Sequence, residues 1–330
     1  MVREYAGRYG VQAALLCVAC VWGWAFVAVA DAIALYPMYA FLAWRFALAS
    51  VAFVAFYPKV LRKLTAANLR TGLIAGVLLA GGYIFQTWGL DGAARTTPAR
   101  AAFITGLYVV ITPLLQAVFL RRRPRTSTLL GGAVALIGLW VLSGIGGTSG
   151  GWVLGDTLVV ICAVVYSVHI LVLGSTGEHH DVSALTLVQL ATVAVICGAI
   201  SLFREHAPVP NNPSVIFAIV ITGVLASAVA FVVQTWAQRV LPPARVAIIL
   251  VTETAFGGLF GWAAAGVWPA QEVLGAAIMF AGLVVSEAVA AMSTGGERIA
   301  FDPAVEGMPA PVLELASSQL EGGFEPADNG

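Results

Sequence analysis

The sequence predicts an all-α integral membrane protein with ten transmembrane helices in two five-helix halves of inverted topology. Three observations carry this expectation. The 330-residue chain is 60% hydrophobic and 10% charged, with a mean hydropathy of +0.91. A soluble domain carries about a quarter charged residues, so most of this surface cannot face water. Apolar runs of membrane-spanning length recur along the chain, and short fragments repeat at a nearly fixed separation.

A membrane helix takes about 20 mostly apolar residues. By that rule the spans fall at 11–30, 37–57, 71–90, 99–120, 128–145, 154–174, 184–203, 214–237, 244–266 and 272–292. The connections are short, so no sizeable soluble domain is expected. Residues 293–330 differ: they are rich in Gly, Pro and Ser and hold seven acidic residues against one basic, the composition of a disordered, solvated tail. MVREYAGRYG followed by an apolar run and Ala28-Val29-Ala30 also resembles a cleavable leader. A leader would have no counterpart later in the chain, and the first span has one.

Basic residues fix the orientation. With the N-terminus in the cytoplasm, thirteen of the 17 lysines and arginines lie inside, Arg95, Arg100 and Arg204 lie outside, and Arg45 lies within a span. The opposite placement contradicts the positive-inside rule. Both termini are therefore expected in the cytoplasm.

The repeat is legible in several places. Gly131 and Gly138 recur as Gly275 and Gly282, 144 residues on. QTW occurs at Gln86–Trp88 and Gln234–Trp236, and PAR at Pro98–Arg100 and Pro243–Arg245, at separations of 148 and 145. The expected halves are residues 1–147 and 148–292. Five spans is an odd number, so the second half enters the membrane from the other side. The charges agree: KVLRKL (Lys59–Leu64) and RRRPR (Arg121–Arg125) are basic, whereas their counterparts Arg204–Pro213 and Val267–Glu272 hold one basic residue and none. Inverted repeats of this kind are common in secondary transporters.

Taken with WGWAF (Trp22–Phe26), WRFALA (Trp44–Ala49), GLYVVITPLL (Gly106–Leu115) and the glycine pattern of the fifth and tenth spans, the chain resembles the EamA-type permeases of the drug/metabolite transporter superfamily over about residues 11–292. That resemblance implies ten helices, cytoplasmic termini in the plasma membrane, export of small metabolites, and a substrate cavity formed mainly by spans 1, 3, 4, 6, 8 and 9. It also points to a difference. TETAF (Thr252–Phe256) has Thr254 where the family commonly has a proline after the glutamate, and Gly266-Val267 stands for a frequent Gly-Glu. The residue that would break the ninth helix is therefore missing.

Polar residues within the spans are few. Arg45 corresponds to Gln189, 144 residues later. It either holds an anionic group of a substrate or binds backbone carbonyls at a helix break. Glu253 sits in mid-span, where desolvation favours the neutral acid. That is the behaviour a proton-coupled carrier needs, and an ion pair with Arg45 is the structural alternative. Gln86 and Gln234 occupy equivalent positions, where they either grip a substrate or bond across helices. His169 is a proton relay or a satisfied core histidine. Trp22, Trp24, Tyr83, Trp88, Tyr108 and Trp236 supply an aromatic wall or interfacial belts.

The remaining signals are weak. Cys17 and Cys20 spell C-x-x-C inside an apolar run, which reads as two small residues packing on one helix face rather than a redox pair. Glu178-His179-His180-Asp181 is too compact for a closed metal site. No nucleotide-binding or hydrolase motif is present in the sequence. The expectation is a secondary transporter of amino acids or related polar or amphipathic compounds, with no cofactor beyond a coupled proton. Its partners would be a small-molecule substrate and membrane lipid, with no nucleic acid; oligomeric state, a homodimer included, is left open. A membrane-embedded structural or sensory protein that binds a ligand without moving it fits the same residues.

Overall fold

The computed structural model describes residues 2–92, 96, 98–119, 126–143, 153–175, 180–206, 209–241, 243–265 and 270–293. The expected tail from residue 294, the RRRPR run, Glu178-His179 and Gly266-Val267 lie outside them.

Every regular element among the described residues is helical. In order they are α1 (Val2–Ile33), α2 (Met38–Phe56), a 3-10 turn (Pro58–Lys63), α3 (Ala66–Leu90), α4 (Pro98–Thr105), α5 (Tyr108–Phe119), α6 (Thr126–Ser143), α7 (Leu154–Ser175) and α8 (Val182–Arg204). Then follow α9 (Pro213–Gly223), a π-helical turn (Val224–Val229), α10 (Ala230–Val240), α11 (Pro243–Leu250), α12 (Thr252–Ala265) and α13 (Ala270–Ser293). Six are long and apolar enough to cross a membrane: Gly10–Ile33, Met38–Phe56, Ala66–Leu90, Leu154–Ser175, Val182–Arg204 and the continuous stretch Pro213–Val240. Leu129–Gly138 and Val273–Gly282 are shorter apolar stretches.

Local chemistry sets the helix starts. Thr65 accepts from the Asn68 N–H, Asp181 from Ala184 and Asn212 from Ser214, each filling a donor that the first turn leaves open. Pro213 then occupies the first helical position, where its missing N–H costs nothing.

The fourth and ninth expected spans are not continuous helices. The chain breaks at Gly106-Leu107 between α4 and α5, and at Val251 between α11 and α12. The second break corrects the expectation from the absent proline. Hydroxyls sustain it instead: Thr252 donates to the Ile249 carbonyl at 2.7 Å and Thr254 to the Val251 carbonyl at 2.8 Å. The two breaks are 145 residues apart, the separation of the PAR fragments.

Small residues let the helices approach closely. A Cβ on Gly138 would meet the Met279 nitrogen at 2.6 Å and the Gly275 oxygen at 2.8 Å; one on Gly282 would meet the Ala135 nitrogen and the Gly131 oxygen, both at 2.8 Å. The two sets of contacts correspond residue by residue, so α6 and α13 meet backbone to backbone in a reciprocal seam. Gly23 does the same between α1 and α12: a Cβ there would lie 2.6 Å from the Glu253 oxygen and the Gly257 nitrogen. Cys17 is exposed and Cys20 half-buried on α1, both as free thiols.

Candidate functional site

A cavity of about 70 Å³ lies at the centre of the helices. Trp22, Ala25 and Phe26 of α1 line it, with Tyr83 and Gln86 of α3 and Tyr108 of α5. Across from these stand Tyr166, His169 and Ile170 of α7, Phe231 and Gln234 of α10 and Glu253 of α12. Arg45 enters from α2. Six of these correspond across the two halves: Trp22 with Tyr166, Tyr83 with Phe231, and Gln86 with Gln234, at offsets of 144 to 148. At one further pair the positions match and the chemistry differs: Tyr108 and Glu253, 145 residues apart, each follow a helix break.

Arg45 is 2% exposed and meets no carboxylate among the described residues. Its Nε donates to the Ser227 hydroxyl at 2.9 Å, and Nη2 reaches the Tyr83 hydroxyl at 3.4 Å and the Ala226 carbonyl at 3.5 Å. Its guanidinium carbon stands 5.1 Å from the ring centroids of both Phe46 and Tyr83, within cation–π range. Ser227 and Ala226 belong to the π-helical turn, which leaves a carbonyl free for partners outside its own ladder. Trp22 Nε1 donates to that same Ala226 carbonyl at 2.7 Å. The buried cation is thus satisfied by two rings, the Tyr83 hydroxyl, and a hydroxyl and a carbonyl of an irregular turn.

The ion pair between Arg45 and Glu253 is not formed. Glu253 is 5% exposed, and no donor among the described residues reaches its carboxylate. The first turn of α12 holds it, pinned by the Gly23 contact behind its own backbone.

The two glutamines differ. Gln86 donates from Nε2 to the Thr105 hydroxyl at 3.2 Å across to α4, whereas the Gln234 Oε1 has no partner among the described residues. His169 Nε2 lies 2.7 Å from Gln189 Oε1. Because the Gln189 amide nitrogen donates to the Leu185 carbonyl at 3.1 Å, its oxygen is the acceptor and the imidazole carries its proton on Nε2. Gln189, identified in the sequence as the counterpart of Arg45, therefore orients a cavity residue.

Trp24 does not line the cavity, and neither do Trp88 and Trp236. Trp88 is 48% exposed on the outer surface, where lipid would meet it. Sequence reasoning overlooked Phe231 and Ser227. Phe231 was findable as the residue 148 positions after Tyr83. Ser227 carries no such signal, since a serine in an apolar helix announces nothing about π geometry.

Described elements that are all helical, several of them of membrane-spanning length, around a largely apolar cavity that holds a few polar groups define a multi-pass membrane protein. The sequence profile of the EamA-like transporter family matches residues 9–144 and again residues 153–287, and the chain belongs to that family. An uncharacterized transporter of Archaeoglobus fulgidus is 28% identical over 264 residues, covering 78% of this chain and 81% of that protein. A crystal structure with 20% sequence identity superimposes with a TM-score of 0.67 over 85% of this chain and 98% of its own, a likeness of fold. These relationships make the protein a membrane transporter.

Proposed function

We propose that the protein is a secondary transporter exporting small polar or amphipathic metabolites, amino acids or related compounds, by alternating access around the central cavity. Residues 1–147 and 148–292 form its inverted repeats, ten crossings traverse the plasma membrane, and both termini face the cytoplasm. The observation that carries the reading is Glu253, a buried carboxyl without a partner among the described residues, in a cavity lined by corresponding residues of both halves. Such a group exchanges a proton with whichever side the cavity faces, and so couples flux to a proton gradient. The double family match, the paired helix breaks and the reciprocal glycine seam support two matching halves. Aromatic and amide walls with few charges suit neutral or zwitterionic solutes better than polyanions.

The test is flux of a panel of metabolites from proteoliposomes under an imposed pH gradient, wild type against Glu253→Gln. Gradient-driven flux in the wild type that becomes insensitive to the gradient in the variant supports the reading. Saturable ligand binding with no flux in either would make the protein a sensor, and identical gradient-driven flux in both would remove Glu253 from the coupling.

A further inference from the structure

We propose that a hydrated polar route leads from the cavity to the face where α10 ends, carried by Tyr108 and Thr112 on α5 and by Gln234 and Gln238 on α10. It rests on the transporter reading above and adds a one-sided path for water, and for the proton of Glu253.

All four side chains are at least nine-tenths buried. The Tyr108 hydroxyl, the Thr112 hydroxyl, the Gln234 Oε1 and both polar atoms of the Gln238 amide lack a hydrogen-bond partner among the described residues. Buried polar atoms in folded proteins are satisfied with few exceptions, so unpartnered ones that begin at a cavity wall and recur one turn further along mark where water or a solute sits.

Their placement is ordered. Tyr108 and Gln234 line the cavity with Glu253. Thr112 and Gln238 each lie four residues further on, one helical turn away on the same face. With α6, α7 and α8 each crossing once before α9 and α10, α5 and α10 run in the same direction, so both steps lead the same way. Pro113 adds to this, because it cannot donate to the Val109 carbonyl, which is left without its helical partner one turn back. Gln238 is two residues from the end of α10.

In the opposite direction the residues are apolar: Ala230 stands one turn before Gln234 on the same face of α10, and Ile104 precedes Tyr108 across the break between α4 and α5, 1% and 4% exposed. The path therefore opens toward one face. The titratable side chains that share the cavity with Glu253 are Arg45, Tyr83, Tyr108, Tyr166 and His169. Arg45 is held by Ser227, the Tyr83 hydroxyl and the Ala226 carbonyl, and His169 by Gln189, whereas the Tyr108 hydroxyl has no partner among the described residues and begins the route.

The test uses the full chain with Cys17, Cys20, Cys162 and Cys197 replaced by alanine, and single Thr112→Cys, Gln238→Cys, Ile104→Cys and Ala230→Cys variants. Each is exposed to a membrane-impermeant thiol reagent in right-side-out and inside-out vesicles. Because the reagent must meet a solvated thiolate, Thr112→Cys and Gln238→Cys should label about tenfold faster than the two controls, and only from the face where α10 ends. Equal slow labelling at all four positions, or labelling from the other face, overturns the route. Thr112→Val and Gln238→Leu provide a second readout. In a wet path they reduce flux without raising the melting temperature; in a dry one they raise it and leave flux intact, which overturns the proposal. Labelling without any flux would keep the route and remove the carrier reading, whereas gradient-driven flux with unreactive cysteines would do the reverse.

Discussion

Arg45 reaches from α2 into the π-helical turn and donates to Ser227 through Nε at 2.9 Å. The guanidinium therefore serves the helix that carries Phe231 and Gln234, by holding open the turn that precedes them. A hydrogen bond to a charged group is worth about 1.5–3 kcal/mol, and Ser227→Ala should lower stability in detergent by an amount in that range while flux per folded molecule stays near wild type. Arg45→Ala removes the ring contacts as well, and folded yield and flux should fall in parallel. Thermal unfolding monitored beside flux checks both; loss of flux in a fully folded Arg45→Ala would instead give the arginine a direct role at the substrate.

The glycine seam between α6 and α13 predicts paired effects. A methyl at Gly138 or at Gly282 has to displace backbone atoms 2.6–2.8 Å away. Overpacking of this kind costs about 1–3 kcal/mol. Gly138→Ala and Gly282→Ala should each lower the melting temperature, and by similar amounts because their surroundings correspond. A large effect at one and none at the other would break the correspondence.

Outside the helices, Lys63 and Asp181 form an ion pair at 2.8 Å that ties the turn after α2 to the start of α8. Partial burial pulls the Lys63 ammonium down, but its hydrogen bonds to Asp181 and Tyr57 outweigh this and leave it above the ordinary lysine value. A raised value means the contribution is complete below the unfolded lysine pKa and is lost as pH climbs through the folded one. Stability should thus be insensitive to this pair near neutrality and decline only at strongly alkaline pH. Partly exposed pairs contribute about 0–1 kcal/mol. Asp181→Asn should cost no more than that, and Asp181→Ala about 1 kcal/mol more, because it also deletes the cap on α8. Thermal melts across pH for the two variants separate the pair from the cap.

Topology is open to a direct check. Reporter fusions at Arg121 and at Gln271 should report opposite sides of the membrane, since one segment is strongly basic and its counterpart is not. The same side for both would end the inverted-repeat reading.

The sequence revealed the membrane class and most of the cavity because both follow from composition and spacing. Apolar runs interrupted by single polar residues bring those residues together, and Gln86, Gln234, Tyr83, Tyr108, His169, Arg45 and Glu253 all face one cavity. It missed what depends on backbone irregularity. Trp24 was grouped with Trp22 by composition, yet neighbours two apart on a helix point to different faces. The break at Val251 was discounted for want of a proline, because threonine hydroxyls bonding back to carbonyls leave no distinctive signal. The π-helical turn was invisible for the same reason, and with it the true partners of Arg45.

That turn has no equivalent in the first half, where α3 runs as an unbroken α-helix from Ala66 to Leu90. Exchanging the roles of the two halves would therefore not regenerate the same molecule. A carrier that works by such an exchange has end states of unequal energy, and between cycles it waits with its mouth toward one preferred side of the bilayer.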